Sequence, residues 1–143
     1  MRKILLFLVT ILAAAGFMLS ACSKSTTEAN LAGTSWTLVS YGPADNQTPA
    51  AVGVQTNLDF SKDDKISGNL GCNGFGGKYR VKGGEIVFDQ LISTMMACPE
   101  PRMTQENTAF KILNGTVQYQ LDAGTFIIHS ADNALVLTFA MKK

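Results

Sequence analysis

From Leu31 onward, apolar residues return at every second position. That period constrains the chain more than any other feature, because it is the pattern of strands burying one face. Trp36, Leu38 and Ser40 alternate with Thr37, Val39 and Tyr41 in a first strand. Leu58 and Phe60 flank Asp59 in a second, which ends at the polar turn Ser61-Lys62-Asp63-Asp64, and Ile66 belongs to a short third. Tyr79 and Val81 alternate with Lys78, Arg80 and Lys82 before Gly83-Gly84 leads into Glu85-Ile86-Val87-Phe88, a hairpin signal. Three more strands are expected at Val117 to Leu121, Phe126 to His129 and Ala134 to Phe139, separated by turns rich in Asp, Asn and Gly.

Between these two groups of strands the period changes. Met103, Phe110 and Leu113 fit one stripe of a short helix over Pro101 to Leu113, with Glu106, Asn107 and Lys111 between them. Pro101 suits its first turn and Gly115 a left-handed C-terminal cap. The expected fold is therefore α+β: a curved antiparallel sheet or small open barrel of about eight strands, with one helix packed against a mouth or an edge. Trp36, Phe60, Phe75, Tyr79, Phe88, Phe110, Tyr119, Phe126 and Phe139 read as core and barrel lining. A hollow barrel would have Phe60, Tyr79, Phe88 and Tyr119 bounding a pocket for an apolar ligand.

The first 21 residues follow other rules. Met1-Arg2-Lys3 is cationic, Ile4 to Phe17 is almost wholly apolar, and Met18-Leu19-Ser20-Ala21 leads to Cys22. This is the layout of a secretory signal, and its apolar run is shorter than the roughly 20 residues that span a bilayer. Leu19-Ser20-Ala21-Cys22 resembles the lipobox of bacterial lipoproteins, which implies cleavage before Cys22 and diacylation of its thiol. One acyl chain binds a membrane only marginally, on the order of 10⁴ M⁻¹, while two or three anchor stably. The polar residues after Cys22 read as a flexible tether reaching about 16 Å. The organisation expected is a signal over 1–21, a lipidated cysteine and tether over 22–30, and one domain over 31–143. Ser23 follows the cysteine, and in lipoproteins of two-membrane bacteria a residue other than Asp there goes with the outer membrane.

Composition excludes more than it selects. Loss of Arg2 and Lys3 with the signal takes the formal net charge from +1 to −1, so the basic footprint of a nucleic-acid binder is absent. The segment Ser67 to Tyr79 holds five glycines within ten residues, but no G-x-x-x-x-G-K-[ST] or G-x-G-x-x-G motif joins a strand to a helix there. A bulged strand corner explains it better than a phosphate cradle. Cys72 and Cys98 are the cysteines left once Cys22 is acylated, and an even pair in an oxidising compartment reads as a disulfide. Two unlinked buried thiols is the second reading. Redox or metal chemistry is the third, with neither a C-x-x-C spacing nor further ligands nearby. His129 is the single histidine, and alternation sets it opposite Phe126 and Ile128 as an exposed strand residue. Glu106 offers an acceptor to backbone groups or to Arg102. No catalytic set, metal site or cofactor motif assembles from these residues.

Gly33-Thr34-Ser35-Trp36-Thr37-Leu38, Ile66-Ser67-Gly68, Gly71-Cys72-Asn73-Gly74-Phe75 with Tyr79, Ser93-Thr94-Met95-Met96-Ala97-Cys98 and the Glu106, Phe110, Leu113 helix together resemble the META domain of HslJ-like bacterial lipoproteins. The resemblance covers roughly residues 31–141. It implies a curved antiparallel sheet with a packed helix, association with heat-inducible envelope proteins, and no enzymatic activity. The function expected is that of a membrane-anchored envelope module, either binding or stress-protective, acting on a protein or lipid partner. A carrier of a small hydrophobic ligand is the alternative.

Overall fold

The computed structural model describes residues 30–142. The signal expected over 1–21, Cys22 and the tether up to residue 29 lie outside the described residues. Nine strands and one helix form in chain order: β1 (Thr34–Pro43), β2 (Thr48–Pro49), β3 (Asn57–Phe60), β4 (Lys65–Asn69), β5 (Gly74–Lys82), β6 (Glu85–Ser93), α1 (Arg102–Ile112), β7 (Thr116–Asp122), β8 (Thr125–His129) and β9 (Leu135–Met141).

Every neighbouring pair is antiparallel, and β1 also pairs with β9, so eight strands close into a barrel and the two-residue β2 lies outside it. Closure goes one step beyond the open barrel expected, and it removes the free edges that would otherwise recruit another chain. Trp36, Leu58, Phe60, Ile66, Ile86, Phe126, Ile128 and Phe139 point inward and are fully buried. Alternation predicted these, with one phase error. A register shift between Leu38 and Ser40 puts a bulge in β1, so Tyr41, and not Ser40, turns inward after it.

Gly83 and Gly84, at φ +61° and +84°, make the tight hairpin between β5 and β6, a backbone that other residues adopt with strain. Further up the same pair, Gly77 alone opposes Gln90 and Leu91 of β6, and Gln90 takes φ +54°. The glycine-rich segment thus meets a bulge, as expected, with the extra residue on the partner strand. Gly68 serves close approach: a Cβ there would stand 2.2 Å from the Asn57 carbonyl oxygen. Gly68→Ala should therefore force β3 and β4 apart and cost about 2–3 kcal/mol in urea unfolding, the scale of overpacking.

Strand direction sorts the connections. The turns at 61–64, 83–84 and 123–124 lie at the end where β1 begins. The segments 44–56, 70–73, 94–115 and 130–134 lie at the other end, so α1 and both cysteine-bearing segments meet there.

At the β1-start end, Tyr79 donates to the Ser61 carbonyl oxygen at 3.1 Å. Its phenol is pushed above the ordinary 10.0 by burial, then by the charges of Asp64 and Asp63. The unfolded chain therefore ionises Tyr79 before the folded one does. Its contribution to stability is complete below pH 10 and is lost as pH rises above it. Tyr79→Phe should flatten the alkaline limb relative to the parent while costing about 1 kcal/mol at neutral pH for the hydrogen bond. Urea titrations of both proteins at pH 8 and pH 11 check this.

Candidate functional site

The end capped by α1 gathers the polar side chains that the barrel buries. Gly71 permits the cap to seat, because a Cβ there would lie 2.5 Å from the Arg102 carbonyl oxygen and 2.8 Å from Glu106 Cβ. The helix comes down on backbone, and its buried residues are Gln105, Glu106, Ala109 and Ile112, followed by Leu113. The apolar stripe expected from Met103, Phe110 and Leu113 is thus rotated: Met103 and Phe110 are half-buried, and Glu106 faces in. The cause is what lies underneath, the polar main chain of residues 70–73, which needs acceptors and donors more than it needs methyl groups.

Glu106 supplies the acceptors. Its Oε2 takes the Cys72 N–H at 2.7 Å and the Asn73 N–H, and its Oε1 takes Asn73 Nδ2 at 2.6 Å. Asn73 passes the connection on: Nδ2 also donates to the Met96 carbonyl oxygen at 3.1 Å, while Oδ1 accepts from Met96 N–H at 2.7 Å and from Thr94 Oγ1 at 2.8 Å. Beside it, Gln105 donates to the Leu70 carbonyl oxygen at 2.6 Å and accepts the Ala51 N–H at 2.7 Å. Cys72 and Cys98 are joined by a disulfide with their Cα atoms 5.9 Å apart. Loop, strap and helix are thus fastened by one covalent bond and a connected polar network.

The strap so fastened, residues 94–98, is exposed up to Ala97, as is the end of β6 that leads into it. Ile92 keeps 75% of its surface, Met95 97% and Met96 57%. Phe75 and Phe110 pack edge to face beneath this region, their centroids 5.4 Å apart.

The four aromatic residues named for a pocket belong to the core. Phe60, Tyr79 and Phe88 are buried, Tyr119 is half-buried against them, and Phe60 meets Tyr79 edge-on at 4.8 Å. Phe126 packs against two of them, with its ring 5.8 Å from Phe60 and 5.9 Å from Tyr119, and lies 5.0 Å from Trp36. His129 faces out of the barrel as alternation required, yet it is half-buried rather than exposed. It lines a depression of about 320 Å³ with Glu85, Gln118, Gln120 and Asn133. Its Nε2 is buried without a hydrogen-bond partner among the described residues. Among those residues no group of three or more His, Cys, Asp and Glu is placed to hold a metal ion, and no helix is long and apolar enough to cross a membrane.

A closed eight-stranded barrel, capped at one end by a helix that a buried carboxylate ties to the loop beneath it, defines a small β-barrel domain. The family model for the META domain matches residues 29–143, and the chain belongs to that family. Heat shock protein HslJ of Escherichia coli (strain K12) is 29% identical over 84 residues, which cover 58% of this chain and 59% of that protein. The match thus spans somewhat over half the length of that curated relative. Among solved structures, the NMR structure of a protein from Burkholderia xenovorans is 28% identical with a TM-score of 0.67, over 79% of this chain and 84% of that one. A DUF4847 family protein from Bacteroides vulgatus ATCC 8482 shares the fold, with a TM-score of 0.56 at 17% identity over 79% and 95% of the two chains.

Proposed function

We propose that this chain is a lipoprotein of the bacterial cell envelope, anchored through Cys22, whose barrel protects under stress by contact with a protein partner. In a cell with two membranes it sits on the outer one, facing the periplasm. The observation that carries the contact reading is an exposed trio: Ile92 near the end of β6, and Met95 and Met96 on the segment that the Asn73–Glu106 network and the disulfide fasten. Apolar side chains mostly in water on and beside a fastened segment are suited to an interface, and methionine adapts to varied surfaces. The name of the Escherichia coli relative supports the stress context. Against the second reading, a carrier of a small hydrophobic ligand, stands the packing of Phe126 on Trp36, Phe60 and Tyr119.

The anchor is tested by feeding cells radiolabelled palmitate. The parent chain should take up label and sediment with membranes, and Cys22→Ala should do neither. Label on Cys22→Ala, or none on the parent, would remove the anchor from the account.

A further inference from the structure

We propose that the outer face of β5 and β6, running down from the capped end, docks an extended acidic protein segment carrying a bulky apolar side chain. This deepens the contact reading above and rests on it. The outward positions of β5 are Gly74, Gly76, Lys78, Arg80 and Lys82, which span about 27 Å of strand. The upper part is an open, shallow depression of about 420 Å³ lined by Gly74, Phe75, Gly76, Ile92, Ser93 and Thr94. The lower part is cationic.

The fold does not require those two glycines. A Cβ at position 74 would meet nothing closer than the Gly68 carbonyl oxygen at 4.0 Å. One at position 76 would meet nothing closer than the Ile66 carbonyl oxygen at 3.6 Å, an ordinary contact, and neither residue has a left-handed backbone. Gly68 and Gly71 are different, since a Cβ on either would strike main chain at 2.2 and 2.5 Å. Glycine inside a strand weakens it and marks places where another molecule comes close to the backbone. Here the side chain of Ile92, across the ladder from Gly76, stands beside the gap and is mostly exposed.

Charge names the occupant. Lys78, Arg80 and Lys82 are exposed and form no ion pair among the described residues, where the one salt bridge joins Lys65 to Asp63. Lys65 faces Lys78 across the ladder on the β4 side. Asp89 faces Lys78, and Glu85 faces Lys82, on the β6 side. With Lys65 paired to Asp63, the three cations of β5 exceed Asp89 and Glu85 by one charge, and Arg80, opposite Val87, has no carboxylate facing it on β6, beside a largely apolar depression. A carboxylate-bearing segment lying along β5 meets both parts, with its apolar side chain over Gly74 and Gly76. A flat anionic bilayer would meet Ile92 and the same cations, so the vesicle arm of the test separates it from a protein segment.

The test is selection of random twelve-residue displayed peptides on the oxidised full-length protein. Enriched peptides should pair a bulky apolar residue with two or more acids. Their affinity should fall at least tenfold on Gly76→Val, and again on Lys78→Glu with Arg80→Glu, in variants whose urea midpoints match the parent. Should Gly76→Val fail to fold, the charge-reversed pair decides. Enriched peptides that bind both variants as well as the parent would overturn this site and leave the contact reading standing. A selection that enriches nothing would overturn both. If the variants lose sedimentation with phosphatidylglycerol vesicles but keep their peptides, the face is a membrane surface and the proposal is wrong.

Discussion

Glu106→Ala should lower stability by about 3–5 kcal/mol, the largest loss expected from any single side chain at the capped end. The substitution removes no apolar contact of note. It strands the Cys72 N–H, the Asn73 N–H and one Asn73 amide hydrogen in a place closed to solvent. A buried donor without an acceptor costs about 1–3 kcal/mol, and three that share one carboxylate add less than fully. Glu106→Gln keeps one oxygen but turns an amide toward donors, and should cost about half as much. Asn73→Ala should resemble Glu106→Ala, and the double variant should fall well short of the sum, since each removal already disables the other partner. Urea unfolding of the four proteins gives the coupling directly. Additive losses would mean that the two side chains act separately.

Removal of the disulfide is the second large effect. Cys72 and Cys98 are 26 positions apart, and the bond closes this loop in the unfolded chain. The chain-entropy relation gives about 3–4 kcal/mol for a loop of that length. Cys72→Ala with Cys98→Ala should lower the urea midpoint correspondingly, and a reducing agent should do the same to the parent protein but not to the variant. The polar network spans the same strap, so the double variant should still fold. Hydrogen exchange at Met96 N–H, which Asn73 Oδ1 holds, should rise more than exchange in β8 and β9. Equal rises everywhere would show that the bond stabilises only by loop closure in the unfolded state and does nothing local.

Much of this was legible in the residues. The eight barrel strands, the Gly83-Gly84 hairpin, the helix after Pro101 and the cysteine pair follow from period, turn chemistry and count. What could not be read depends on partners far along the chain. Nothing local to Leu38-Val39-Ser40 announces the bulge that turns Tyr41 inward; it arises where β1 must match β9. The helix is harder still, because period assigns polar residues to solvent. Glu106 faces in only because Cys72 and Asn73, more than thirty positions earlier, bring it unpaired donors. Its chemistry as an acceptor for backbone groups was legible, but not which groups, the Cys72 and Asn73 N–H, nor that this would turn it inward. The β1–β9 pairing likewise joins elements that no local pattern relates.

That pairing has a consequence for how the molecule comes into being. Trp36 pairs with Leu58 on one side but with Met141, across nearly the whole domain, on the other, so one edge of the first strand made is among the last to be satisfied. A chain delivered from its N-terminus, by a ribosome or through a translocation pore, cannot close until the final strand has emerged. Until then Thr34–Pro43 and Leu135–Met141 each lack a neighbour that only the other can supply. The barrel is therefore slow to become safe from its own unpaired strands, and a truncation that spared every buried aromatic up to Phe126 would still leave it open.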